Sequence, residues 1–242
     1  MNNNIFNYNS ILIGGNGQKY LLKNIIEQCD LFLNSFLKKR ELIILLCNNT
    51  VDSISLYVSF INKGVVPILI NSDLDEIFIK DIIKKYNPSF IFTPSTNQNY
   101  DFNYDEFQTY NSFSVLKAKD SIQIQLNSEL AILLSSSGST GSPKLIRISY
   151  NNLLSNAISI SNYLNLKSSE IAITNLSMNY SYGLSIINSH LHVGAKIVVA
   201  DESIIQRRFW ELFKKFHVTS LAGVPYTYEI LKKLKFLKME LP

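Results

Sequence analysis

Cysteine is scarce in this sequence, with two among 242 residues. Cys29 and Cys47 both lie in apolar runs, without CxxC spacing and without histidines nearby. This pattern argues against a disulfide framework and against a structural zinc site, and it predicts a reducing, cytoplasmic environment. The first four residues, Met1–Asn4, contain neither the positive charge nor the apolar run of a secretory signal, so we expect none there.

Charge is sparse as well, since charged residues make up 17% of the chain against about a quarter in an ordinary globular domain. The basic residues occur in short groups such as 38–40 and not in one long stripe, which argues against a nucleic-acid partner. Residues 171–195 carry no formal charge, but their asparagines, serines and histidines would all need partners in lipid. We therefore expect protein interior there and not an integral membrane protein.

Short apolar runs alternate with helical periods along most of the chain. The runs 41–47, 65–70, 89–93 and 131–134 lack period-two alternation, which is typical of strands buried on both faces. The predicted fold class is therefore α/β, with mainly parallel sheets covered by helices on both faces. A polar segment, 94–110, interrupts this alternation, so it is predicted to be a loop that separates subdomain 1–110 from subdomain 111–242.

Several residues that could suggest a functional site are better explained by structural roles. The glycines at 14–17 do not complete G-x-G-x-x-G and instead predict a β-hairpin turn. His190 and His192 are two residues apart on a predicted helix, so they point in different directions and cannot share a metal. Trp210 lies on an amphipathic helix and is predicted to be in the core. Asp73, three residues before Glu76, predicts a capping box for a helix that ends at Tyr86.

The segment 135–144, Ser-Ser-Ser-Gly-Ser-Thr-Gly-Ser-Pro-Lys, has the composition of a phosphate-binding loop. Glycines allow backbone N–H groups to approach an anion, hydroxyls add donors, and Lys144 supplies positive charge. A Walker A loop is excluded, because Pro143 precedes the lysine and Leu145 follows it. By composition alone, a flexible Ser/Gly connection between two strands remains the alternative.

The order of residues in this loop resembles the phosphate-binding signature of the adenylate-forming (AMP-binding) superfamily, and it is most similar to the acyl-CoA synthetase branch. The flanks fit as well, with an apolar strand at 146–149, Tyr150 and the Asn152–Leu153 pair, although Leu145 stands where the family usually has glycine. Segment 178–184 resembles the acyl-pocket segment of the family, with Tyr180 where histidine is common. Segment 218–225 resembles another pocket wall, and Tyr180 and Tyr182 could otherwise be plain core aromatics.

The resemblance implies an acid–thiol ligase that converts a carboxylate and ATP to an acyl-adenylate and pyrophosphate, after which a thiol displaces AMP. ATP and Mg²⁺ are the implied cofactors, with CoA or the phosphopantetheine of a carrier protein as thiol acceptor and a fatty or aryl carboxylic acid as substrate. By resemblance the ATP phosphates would contact Ser136, Ser137, Gly138, Ser139, Thr140, Gly141 and Lys144, with Lys144 neutralising phosphate charge. The acyl substrate would contact Tyr180, Tyr182, Gly183, Gly223, Val224 and Pro225.

The sequence contains no counterpart of the later family segments Tyr-Gly-x-Thr-Glu and Thr-Gly-Asp, nor of the small C-terminal domain with its catalytic lysine. We therefore expect residues 1–242 to be a truncated N-terminal AMP-binding domain that is catalytically incomplete by itself, with the adenine and ribose contacts and any metal ligand elsewhere. The alternatives are a non-catalytic module that binds a nucleotide or an acyl group, and a structural domain that binds no ATP.

Overall fold

The computed structural model describes residues 5–96, 103–120, 124–135 and 144–239. The strands of this part of the chain are β1 (Ile11–Ile13), β2 (Lys19–Leu21), β3 (Leu42–Cys47), β4 (Val66–Asn71), β5 (Phe90–Pro94), β6 (Tyr104–Tyr110), β7 (Phe113–Ala118), β8 (Leu130–Ser135), β9 (Leu145–Ser149), β10 (Ile171–Ile173) and β11 (Lys196–Val198). The helices are α1 (Leu22–Asn34), α2 (Val51–Lys63), α3 (Glu76–Tyr86), α4 (Tyr150–Tyr163), α5 (Ser181–Val193), α6 (Arg207–Lys215) and α7 (Pro225–Lys233), followed by a 3₁₀ turn (Phe236–Lys238).

The larger sheet has seven strands in the order β6-β7-β5-β3-β4-β8-β9. Its central strands β5, β3, β4 and β8 are parallel, and antiparallel strands continue the sheet at each end. Both faces are covered, since Ile79 and Ile82 of α3 pack on one face, whereas Phe60 of α2 packs against Phe92 on the other, with ring centroids 4.9 Å apart. The continuous apolar runs of the central strands follow from this two-sided burial.

The smaller sheet has four strands in the order β10-β11-β1-β2, of which the first three are parallel. α6 and α7 pack their apolar side chains on it, including Phe209, Phe213 and Leu231. Trp210 lies in this core as predicted, and its indole Nε1 donates to the carbonyl of Ile204 at 2.9 Å.

The predicted α/β class with parallel-rich sheets is confirmed, and antiparallel strands extend both sheets at their ends. The polar segment 94–110 is not only a loop, because Tyr104–Tyr110 forms β6. β6 is an edge strand with largely exposed side chains, so it lacks the apolar pattern by which buried strands are predicted.

The two compact units of the chain do not meet at residue 110, where the sequence predicts the boundary between subdomains. Residues 26–48 and 52–153 form one compact unit, called here the seven-stranded unit, and residues up to 25, 49–51 and 154 onward form the four-stranded unit. The reason is pairing between distant segments: β1 pairs with β11, and β8 and β9 extend the sheet that begins with β3.

Two local predictions have different outcomes. The glycine-rich turn is confirmed, because β1 and β2 form an antiparallel hairpin in which Gly17 has a φ of +88°. The capping box at Asp73 is wrong, because the carboxylate of Asp75 caps α3 by accepting from the N–H of Ile77 at 2.8 Å.

None of the helices in the part of the chain that the structure describes is both long enough and apolar enough to cross a membrane.

Candidate functional site

The two flanks of the predicted phosphate loop lie side by side in the seven-stranded unit. β8 and β9 are antiparallel, and Ser135 at the end of β8 is opposite Leu145 at the start of β9. The candidate residues Ser136, Ser137, Gly138, Ser139, Thr140 and Gly141 lie outside the described residues. Lys144 is exposed and directly precedes β9, so the strand pairing holds its backbone at the same end of the hairpin as Ser135.

This end of the hairpin is the carboxyl edge of the parallel strands. β8 runs parallel to β4, which runs parallel to β3, so Ser135 lies at the same edge as Asn71 and Cys47, the last residues of β4 and β3. Open α/β sheets bind ligands outside the carboxyl ends of their strands. The predicted phosphate-binding segment therefore leaves and rejoins the sheet at the edge where a ligand is expected.

The returning strand is fixed to the helix that follows it. The hydroxyl of Ser149 accepts from the N–H of Asn152 at 3.1 Å, and the amide oxygen of Asn152 accepts from the N–H of Ser149 at 3.1 Å. These reciprocal bonds satisfy N–H groups at the start of α4, in the manner of a capping box. Two residues that carry the family resemblance thus hold the exit of the predicted loop in place.

The predicted acyl-pocket segment forms the start of α5 in the four-stranded unit. Tyr180 is the N-cap residue, and Tyr182 and Gly183 lie in the first turn. Gly183 is buried against the preceding loop, where a Cβ atom on it would lie 2.2 Å from the carbonyl oxygen of Ser177 and 2.8 Å from that of Leu176. Only glycine fits at this position, which explains Tyr-Gly at the start of the helix.

The side chain of Asn49 binds the loop 176–178, which precedes α5. Its amide nitrogen donates to the carbonyl of Leu176 at 3.1 Å, and its amide oxygen accepts from the N–H of Met178 at 3.1 Å. A side-chain amide that pairs with both a carbonyl and an N–H replaces one rung of a β-ladder. The conformation of 176–178 therefore depends on Asn49.

We predict that Asn49→Ala lowers the free energy of unfolding by about 1–3 kcal/mol, because it leaves two backbone groups without their partner. Urea unfolding followed by circular dichroism measures the change. The control is Asn151→Ala, an exposed position on α4, which should change stability by less than about 0.5 kcal/mol. Equal effects of the two substitutions would contradict the role of Asn49.

Asn175 connects this loop with the second predicted pocket wall. Its amide nitrogen donates to the carbonyl of Ala222 at 2.7 Å, directly before Gly223. Val224 is the N-cap residue of α7 and Pro225 its first residue. Asn175, which directly precedes segment 176–183, therefore contacts the start of segment 222–225. That the two segments line one acyl pocket stays a prediction.

The aromatic side chains at this place are not in the core. Tyr180 is 50% exposed and Tyr182 39% exposed, and Tyr226 and Tyr228 on α7 are exposed as well. The alternative interpretation of Tyr180 and Tyr182 as core aromatics is therefore wrong. Their rings and hydroxyls can contact a ligand.

The two histidines of α5 have structural partners and point apart, as predicted. His190 is buried, and its Nδ1 donates to the carbonyl of Ile186 at 2.8 Å, which leaves Nε2 to accept from the Ser220 hydroxyl at 3.2 Å. Nδ1 of His192 lies 2.9 Å from the carbonyl of Ile5. Burial lowers the pKa of His190 below its ordinary value of 6.5, so the ring is neutral at pH 7.

The free energy of unfolding should therefore fall as the pH drops through about 6.5, because the unfolded chain then binds a proton on His190 that the folded chain does not. Replacing the ring in His190→Gln should flatten this part of the pH profile. His217 lies in an exposed turn with a φ of +50°, and His217→Asn is the control because asparagine tolerates that backbone. Identical profiles for His190→Gln and the wild type, measured by urea unfolding, would rule out the protonation of His190 as the cause.

Residues 5–96, 103–120, 124–135 and 144–239 contain no group of three His, Cys, Asp or Glu side chains that could hold a metal ion. Mg²⁺, which the family resemblance implies, commonly binds through substrate phosphates with one or two protein carboxylates.

Asn49 and Asn175 are not among the site residues predicted from the sequence. Both carry a readable signal, because Asn49 follows the buried strand β3 and Asn175 follows β10, and polar residues after the carboxyl ends of parallel strands are candidates for a site. Asn175 has the further property that its buried amide oxygen has no hydrogen-bond partner among the described residues.

The chain belongs to the AMP-binding enzyme family, whose sequence model matches residues 31–241. The predicted membership in the adenylate-forming superfamily is thereby confirmed. A 2-succinylbenzoate–CoA ligase from Bacillus cereus is 22% identical over 183 residues, which cover 74% of this chain and 37% of that relative. The chain thus spans little more than a third of the length of the curated relative.

Solved structures of the superfamily share the fold. ATP-bound MatB from Rhodopseudomonas palustris is 18% identical, with a TM-score of 0.78 over 96% of this chain and 51% of MatB. The inhibitor-bound N-terminal domain of FACL13 from Mycobacterium tuberculosis is 14% identical, with a TM-score of 0.78 over 96% of this chain and 63% of that domain. At such identities the similarity concerns the fold alone.

Proposed function

We propose that this chain is the N-terminal part of an ATP-dependent acyl-adenylate-forming ligase. In the first half-reaction a carboxylate oxygen attacks the α-phosphorus of ATP, the bond to pyrophosphate breaks, and acyl-AMP forms. In the second, the sulfur of CoA or of a carrier-protein phosphopantetheine attacks the acyl carbon and AMP leaves. The observation that carries the proposal is the hairpin that returns Lys144 to the carboxyl edge of the parallel strands beside Ser135.

In this proposal the chain contributes position and charge, which dominate the catalysis of phosphoryl and nucleotidyl transfer. The N–H groups and hydroxyls of 136–141 would bind the β- and γ-phosphates, and the ammonium group of Lys144 would offset their negative charge. Mg²⁺, when bound through the phosphates, supplies further charge neutralisation. The loop 176–183 and the segment 222–225 would hold the acyl group, a role supported by the exposed rings of Tyr180 and Tyr182.

An uncharged acyl or aryl tail is the proposed substrate class. No Asp or Glu occurs between Glu170 and Asp201, and the ammonium group of an amino acid would need a buried carboxylate partner. The curated relative from Bacillus cereus is named for 2-succinylbenzoate, an aryl acid with a second carboxylate and no ammonium group. The proposal therefore favours fatty or aromatic carboxylic acids over amino acids.

A panel of carboxylic acids tests this preference in a pyrophosphate-release assay. The protein should be assayed together with any sequence that its gene encodes beyond Pro242. We predict release with medium-chain or aryl acids and a rate at least about tenfold lower with amino acids. Turnover of an amino acid together with none of a fatty or aryl acid would contradict the proposed substrate class.

The second candidate is a module that binds a nucleotide or an acyl group without reaction. It is distinguished by ATP binding in the absence of carboxylate-dependent pyrophosphate exchange.

We propose the cytoplasm as the location, which is supported by two cysteines that are both buried free thiols.

A further inference from the structure

A positively charged cleft lies in the seven-stranded unit, at the edge of the sheet opposite to the one where Ser135 lies. The cleft has a volume of about 410 Å³, and its polar lining consists of Lys39, Arg40, Asn62, Lys63, Ser128 and Tyr150. Arg40, Gly64 and Ser128 each lie two residues before a parallel strand, namely β3, β4 and β8. The cleft is therefore at the amino edge, separated from Ser135 by the length of β8, about 20 Å of extended chain.

The guanidinium group of Arg40, which lines this cleft, is held by two backbone carbonyls. Its Nη1 donates to the carbonyl of Leu130 at 2.8 Å, and its Nη2 donates to the carbonyl of Asn127. A guanidinium carries five N–H groups, so these two bonds do not use all of the hydrogen-bond donors of Arg40. Burial raises the pKa of the neighbouring Tyr150, and the charge of Arg40 opposes that rise, so the phenol keeps its proton at pH 7.

The backbone of Arg40 is unusual. Its φ is +65°, and three of the six non-glycine residues with positive φ in the described chain are asparagine, which tolerates this conformation. The N–H of Arg40 donates to the carbonyl of Gly64 at 2.8 Å, and this bond holds the strained turn.

The charged side chains that line the cleft are all positive. Within the ranges that the structure describes, no carboxylate forms an ion pair with Lys39, Arg40 or Lys63, and no Asp or Glu lines the cleft. Two carboxylates act on these residues from outside the lining, since Asp30 interacts electrostatically with Lys63 and Glu129 with Tyr150. A cleft lined by one sign of charge concentrates counter-ions.

We propose that this cleft is a second anion site, which binds the phosphate group of a small phosphorylated molecule. Its volume exceeds that of a single phosphate and lies within the range of small-molecule sites, about 300–1,000 Å³. Lys39 and Arg40 provide charge-assisted donors to the phosphate oxygens. The ammonium group of Lys63 donates to the amide oxygen of Asn34 and has two further N–H groups for a phosphate. Ser128 and the protonated Tyr150 hydroxyl provide neutral donors. The site is independent of the predicted phosphate loop.

The test is a titration with inorganic pyrophosphate followed by amide NMR, with adenosine as the probe that lacks phosphate. We expect pyrophosphate, and not adenosine, to shift the amide signals of Gly64, Ser128 and Tyr150. The double variant Lys39→Gln with Lys63→Gln should weaken this binding at least about tenfold, because it removes two charge-assisted contacts.

Lys84→Gln with Lys85→Gln is the matched control, since it changes the net charge equally at exposed positions of the same unit. It should leave the affinity within about twofold, and Lys144→Ala should leave the three shifts in place even if the phosphate loop binds nothing. Absence of the shifts at millimolar pyrophosphate, or equal losses in the two double variants, would overturn the proposal.

Discussion

Gly183→Ala is expected to lower the free energy of unfolding by about 3 kcal/mol or more, the largest single-residue effect on stability that the structure predicts. The added Cβ would lie 2.2 Å from the carbonyl oxygen of Ser177, which is backbone and cannot rotate away. Either the start of α5 or the loop 176–178 must then move. Thermal unfolding should show a decrease in Tm of about 6–12 °C.

The matched control is Gly15→Ala. A Cβ atom at Gly15 would meet nothing closer than 3.8 Å, namely a carboxylate oxygen of Glu202, so Tm should change by no more than about 2 °C. If Gly183→Ala unfolds at the same temperature as Gly15→Ala, the close approach between α5 and the loop does not exist as described.

Lys144→Ala is expected to lower the ATP-dependent rate about ten- to a hundredfold. The substitution removes one charge-assisted contact to phosphate, worth about 1.5–3 kcal/mol. Lys144 is exposed in the described structure, so its removal should leave the fold and Tm unchanged. The rate is measured as exchange of labelled pyrophosphate into ATP.

Two further variants separate charge from general surface effects. Lys144→Arg keeps the positive charge and should retain more of the rate than Lys144→Ala, although its planar group suits a different geometry. Lys84→Ala removes an exposed lysine of α3 and should leave the rate unchanged. A full rate in Lys144→Ala would remove this residue from the proposed phosphate contacts.

The central strands could be predicted from the sequence because burial on both faces leaves a continuous apolar run. This holds for β3, β4, β5 and β8. β6 could not be predicted in this way, since its exposed side chains carry no such pattern. The pairing of β1 with β11 joins opposite ends of the chain, and no local periodicity contains information about so distant a partner.

In the candidate site, too, the local features could be predicted from the sequence and the long-range contacts could not. The order of residues in 135–144 and around Gly183 is local, so the sequence alone indicates the family. The hydrogen bonds of Asn49 to Leu176 and Met178 join residues that are more than a hundred positions apart in the sequence. The turn of Arg40 depends on a hydrogen bond to Gly64. Such contacts follow from the fold and not from residue spacing.

Carboxylate-dependent exchange of labelled pyrophosphate into ATP tests the central claim most directly. It should be measured on the wild type and on Lys144→Ala, each with any sequence that the gene encodes beyond Pro242. The proposed function predicts exchange that requires a fatty or aryl acid and falls about ten- to a hundredfold in the variant. Binding of ATP without exchange for any acid in the panel would contradict it and identify a non-catalytic binding module.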